Sequence, residues 1–144
     1  MVIRIQSRIL YVDCDDSCSG MVRLSLSSHG KELDVRCTAN MAEAIATIRS
    51  ETYDLYIFEY CLPVVTGAQL CKMIRARGIK APIIMYSALF RDVDRDMAID
   101  AGANSYLVKP DEFDKLSATI NRLLCPSPII SRHYRPGKHA ASII

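Results

Sequence analysis

Five short β-rich segments constrain this chain most: RILYVD at 8–13, ELDVRCTA at 32–39, the continuous apolar LYIF at 55–58, PIIMYSA at 82–88 and SYLVKP at 105–110. Each is too short for a core helix. Each is bounded by polar, proline or glycine residues, as buried strands are. Between them lie segments with helical spacing. Residues 16–29 form a weak helix, with apolar residues at 21, 22, 24 and 26. Asn40 suits the N-cap of a helix at 41–51 that puts Met41, Ala44, Ile45 and Ile48 on one face. Thr66 or Gly67 opens a helix in which Leu70, Met73 and Ile74 repeat and Gly78 stops it. Residues 92–102 read as a polar helix with Val93, Met97 and Ala101 inward. Asp111 is placed to cap the last helix, whose Phe113, Leu116, Ile120 and Leu123 face the core.

Strict alternation of strand and helix predicts an α/β fold with a parallel sheet covered on both faces, a three-layer αβα sandwich. In such sheets, function gathers at the C-terminal strand ends, near the switch in strand order. The sequence places one set of polar residues there. Strand one ends in Asp13, Cys14, Asp15 and Asp16. Strand three ends in Glu59, strand four in Ser87, and strand five in Lys109 before Pro110. Glu59 constrains the reading further, because a carboxylate closing an apolar run is costly to bury unless it is paired or used.

These residues resemble the receiver domain of bacterial response regulators. The matching text is ILYVD at 9–13, DLYIFEYCLPVVTG at 54–67, PIIMYSA at 82–88 and AIDAGANSYLVKP at 98–110. Each motif is weak alone, but their order and spacing across residues 8–125 are specific. The resemblance implies a CheY-like, flavodoxin-like (βα)5 domain over residues 7–125, with strand order 2-1-3-4-5. In that family an aspartate ending strand three takes a phosphoryl group from a histidine kinase. Acids after strand one hold magnesium, and a hydroxyl and a lysine contact the phosphoryl oxygens. Glu59 stands at the phosphoacceptor position. Asp13 matches the first acid and Cys14 the second. The backbone of Cys61 falls where a carbonyl helps hold the ion. Ser87, Tyr106 and Lys109 match the switch and phosphate-contact positions, and the Lys109–Pro110 bond is a cis candidate.

Two departures therefore fall on the chemistry. Magnesium wants hard oxygen ligands, and a thiol at Cys14 is a poor one. Glu59 reaches about 1.5 Å further than aspartate. In-line transfer depends on positioning and on a bridging cation. The expectation is a pseudo-receiver without a cofactor, in which Lys109 and the Ser87 hydroxyl engage Glu59 directly. If a metal binds at all, Asp13, Asp15 and the Cys61 backbone hold it, weakly. The alternatives are a phosphorylatable receiver using magnesium and a redox or metal sensor using Cys14 and Cys61. An independent enzyme is not expected, since no nucleophile–base pair or GxGxxG loop is present.

Composition adds limits. The 144 residues suit one domain, and the net charge of +2 demands no nucleic-acid partner. Arg132, Arg135 and Lys138 give residues 126–144 a basic, proline-containing character expected of a flexible tail. After residue 125 too little chain remains for a DNA-binding module, so output is expected through proteins: a histidine kinase, a downstream signalling partner, or a second copy. The resemblance places that surface on the fourth helix, fifth strand and fifth helix, around Arg91, Asp92, Arg95 and Tyr106. No apolar run approaches roughly 18 residues, and no signal peptide is evident, so a cytoplasmic location is expected. No two of the six cysteines have CxxC spacing, and free thiols are the default. Cys37, Cys71 and Cys125 read as small core residues, as do Met21, Met41, Met73, Met85 and Met97. His29, His133 and His139 carry no assigned role.

Overall fold

A computed structural model describes residues 6–15, 20–23, 26 and 33–125. Five strands, β1 (Ser7–Val12), β2 (Leu33–Thr38), β3 (Leu55–Phe58), β4 (Ile83–Ser87) and β5 (Ser105–Val108), form one sheet in the order β2-β1-β3-β4-β5. Every pairing is parallel, with Val12 opposite both Thr38 and Phe58. Four helices are complete: α1 (Met41–Ser50), α2 (Gly67–Ala76), α3 (Asp92–Asp100) and α4 (Phe113–Leu124). Residues 20–23 and 26 are also helical. Asp16, Cys18, His29 and residues 126–144 lie outside the described residues.

Strand alternation divides the core in two. Leu10, Val12, Tyr56, Phe58, Ile83 and Met85 point toward α1, α2 and α3, where Met41, Ile48, Leu70, Ile74 and Ala98 meet them. Ile9, Tyr11, Leu55, Ile57, Ile84 and Leu107 point the other way, onto Val22, Leu26, Leu116 and Ile120. Both sheet faces are therefore dry, and each fully buried Leu or Ile contributes about 1.5–3 kcal/mol.

The helix starts follow local chemistry. Asn40 accepts the Glu43 N–H at 3.1 Å. Thr66 and Gln69 form a reciprocal capping box. Gly67 is required because a Cβ there would lie 2.4 Å from the Glu59 carbonyl oxygen and 2.7 Å from Met85 Sδ. At the opposite pole, the Arg75 guanidinium donates to the carbonyls of Gly102, Ile79 and Ala81 and to Asn104 Oδ1, at 2.8–3.1 Å. One side chain thus ties the end of α2 to the loops entering β4 and β5.

Several expectations are corrected. On α3 the buried residues are Asp94 and Ala98, while Val93 and Met97 are about half exposed. Asp94 goes inward because Arg91 clamps both its oxygens, Nε at 2.9 Å and a terminal nitrogen at 2.8 Å. That guanidinium holds the Asp94 carboxyl below the ordinary carboxylate range. Asp111 does not cap α4. Glu112 is the N-cap residue, and its side chain turns back to accept the Val108 N–H at 2.8 Å. Met21 is exposed rather than core. Of the three cysteines read as core, Cys71 is buried, Cys37 half-buried and Cys125 exposed, since Cys125 closes α4 outside the packed face.

Candidate functional site

The parallel ladders run one residue past the strands and carry the site with them. Asp13 N–H reaches the Thr38 carbonyl at 3.2 Å, Glu59 N–H the Val12 carbonyl at 3.0 Å, and Lys109 N–H the Ser87 carbonyl at 2.8 Å. Asp13, Glu59, Ser87 and Lys109 therefore meet at the C-terminal edge of four adjacent strands. They line a crevice of about 520 Å³ together with Cys14, Asp15, Cys61, Ala88 and Leu89. The Lys109–Pro110 peptide bond is cis.

Three of these side chains are nearly closed off from solvent: Asp13 is 2 % exposed, Glu59 8 % and Ser87 0 %. Every carboxylate oxygen of the two acids has a partner. Glu59 Oε1 accepts from the Ser87 hydroxyl and from the Cys61 N–H at 3.1 Å. Glu59 Oε2 accepts from Lys109 Nζ at 2.9 Å. Asp13 Oδ2 accepts from the same ammonium and from the Tyr11 hydroxyl at 2.7 Å, and Asp13 Oδ1 from the Asp15 N–H at 3.0 Å. Lys109 thus bridges both buried carboxylates, and it also lies 5.0 Å from the centre of the Tyr86 ring. Burial alone would lower its pKa. The bonds to Asp13 and Glu59 outweigh burial and hold the ammonium above the ordinary lysine value.

A short chain of contacts leaves this cluster. Ser87 Oγ, donating to Glu59, accepts the Leu89 N–H at 3.2 Å. The Leu89 carbonyl accepts the Tyr106 hydroxyl at 2.9 Å. Tyr106 is buried, and the Arg95 guanidinium covers its ring at 5.7 Å. Residue 59 is therefore joined, contact by contact, to the outer face of α3 and β5.

Cys14, Asp15 and Cys61 are exposed on the crevice wall. Partial burial, followed by the charges of Glu59 and Asp94, pushes the Cys61 thiol up. Among the described residues, no three His, Cys, Asp or Glu side chains gather as a metal-binding group. Sequence reasoning missed Tyr11 and the Cys61 N–H as partners of the two acids. Tyr11 was findable, since it stands two residues before Asp13 and strand alternation puts both on one face.

The response regulator receiver domain model matches residues 9–121. The chain belongs to this family. This receiver is 34 % identical over 127 residues to the alkaline phosphatase synthesis transcriptional regulatory protein SphR of Synechococcus elongatus, covering 82 % of this chain and 49 % of SphR. It is 33 % identical over 131 residues to the regulatory protein VanRB of Enterococcus faecalis, covering 91 % of this chain and 58 % of that one. The receiver spans about half the length of the curated relatives it matches. Among solved structures, a two-component response regulator from Clostridium difficile superposes with a TM-score of 0.75 at 30 % identity, over 84 % of this chain and 98 % of the other. No described helix is long and apolar enough to cross a membrane.

Proposed function

We propose that this receiver works in two-component signalling as a phosphate-independent binding module. The reading rests on one observation: both oxygens of Glu59, at the family's phosphoacceptor position, are already bonded to Lys109, Ser87 and the Cys61 N–H. A carboxylate must turn a free oxygen toward an incoming phosphorus atom. Here that motion breaks the ion pair that neutralises two buried acids.

The donor set also suits magnesium poorly. Asp13 and Glu59 share an ammonium, and the next side chain after Asp13 is a thiol. A divalent ion would have to displace Lys109 to gain two oxygens. The glutamate instead imitates one charge of a phosphoryl group and holds Ser87 and Tyr106 in a single arrangement. Output then passes through the α3–β5–α4 face, around Arg91, Asp92, Arg95 and Tyr106, to a histidine kinase or a downstream signalling protein.

Incubation with acetyl phosphate and magnesium, followed by intact mass measurement, tests this. The natural protein should gain no phosphoryl group, and the double variant Cys14→Asp/Glu59→Asp should gain one. A stoichiometric gain by the natural protein overturns the reading.

A further inference from the structure

We propose that Cys14 and Cys61 form a reversible disulfide across the mouth of the crevice when the protein meets a hydroperoxide. The sheet register sets both at one edge of the crevice. Val12 and Phe58 are directly opposed on neighbouring parallel strands, and the Glu59 N–H to Val12 carbonyl bond continues that pairing. Cys14 stands two residues beyond Val12, and Cys61 three beyond Phe58. A disulfide closes with Cα atoms roughly 4.4–6.8 Å apart, so the two loops meet across the crevice mouth when it forms. Both thiols are exposed and line the same crevice.

The other described cysteines do not compete. Cys71 is 0 % exposed, so peroxide does not reach it. Cys37 lies half-buried in β2, and Cys125 closes α4 at the far end of the sheet.

The chemistry balances with the peroxide as oxidant. One thiolate attacks the peroxide oxygen, the O–O bond breaks, and a sulfenic acid and an alkoxide or hydroxide result. The second thiolate then attacks the sulfenic sulfur, forming the S–S bond and expelling hydroxide. Two electrons pass from the thiols to one peroxide, and a dithiol reductant returns them. The bond would strap the loop after β1 to the loop after β3 across the crevice that Asp13, Lys109 and Glu59 also line.

The test treats the full chain with hydrogen peroxide, counts thiols after denaturation and maps tryptic peptides without reduction. The expected result is loss of two of six thiols, with peptide 9–23 joined to peptide 50–72. The link should disappear in Cys14→Ser and in Cys61→Ser, persist in Cys18→Ser and Cys71→Ser, and reverse with dithiothreitol. Six titratable thiols after oxidation, a link that requires Cys18 or Cys71, or a disulfide between two copies would each overturn the proposal.

Discussion

Replacing Lys109 by methionine removes the ammonium that touches both buried acids while keeping most of the stem's volume. The lysine side chain is 11 % exposed, and the acids it bridges are 3 % and 10 % exposed at their side chains. Water cannot take over the role of the lost cation in so closed a place. Breaking a buried pair from one side costs about 3–5 kcal/mol, because an uncompensated charge remains. Against a total stability of roughly 5–15 kcal/mol, that is a large fraction. For a domain of this size it lowers Tm by roughly 10–20 °C.

The pH dependence separates this cause from lost packing. With the ammonium gone, two buried carboxylates share one site and repel each other across it. Like-charge repulsion of this kind costs least at low pH and most at neutral pH. The gap between Lys109→Met and the natural protein should therefore be narrower at pH 5 than at pH 7.5. In the natural protein the Lys109 pKa is itself raised, so its contribution is complete at neutral pH and fades only above the ordinary lysine value. Urea unfolding at the two pH values measures the gap. The double variant Glu59→Gln/Lys109→Met should recover part of the loss at pH 7.5. A cost below about 1 kcal/mol, the range of an exposed ion pair, or a gap unchanged with pH, would refute the account of Lys109 as the neutralising group.

Two further predictions concern the loop that carries the site. Val64 holds φ at +70° with its side chain 90 % exposed, so a β-branched residue bears left-handed strain with little packing in return. Val64→Gly should stabilise by about 1 kcal/mol after the entropy of the added glycine is subtracted, and differential scanning calorimetry would show Tm rising rather than falling. Gly67→Ala should instead cost about 1–3 kcal/mol in urea unfolding, since its Cβ meets the Glu59 carbonyl and Met85 Sδ; a neutral result would mean that the close packing of α2 on β3 yields easily.

Most of the fold was legible because buried parallel strands advertise themselves as continuous apolar runs. LYIF at 55–58 and IIMYS at 83–87 appear in the structure where periodicity puts them. The helix at 92–100 was misread on its face, because DVDRDMAID has too few apolar residues to fix a stripe. A side-chain clamp, Arg91 on Asp94, decides the orientation instead. At the site, the strand-end rule and the resemblance brought Asp13, Glu59, Ser87 and Lys109 together. That Lys109 serves both acids at once depends on the relative heights of β1, β3 and β5. Register of that kind is written in no single segment.

Arg75 has a consequence at the other end of the sheet. Its guanidinium fastens the loops that feed β4 and β5, while the acids, thiols and lysine of the crevice stand where the same strands leave. The Arg75 clamp and the lining of the crevice share no side chain. Such a division leaves the lower pole intact while Asp13, Glu59 and Lys109 are rewritten together, as a charge-balanced set. For protein engineering, the molecule is a receiver scaffold whose reactive end is exchanged as a balanced set of charges while the Arg75 foundation stays in place.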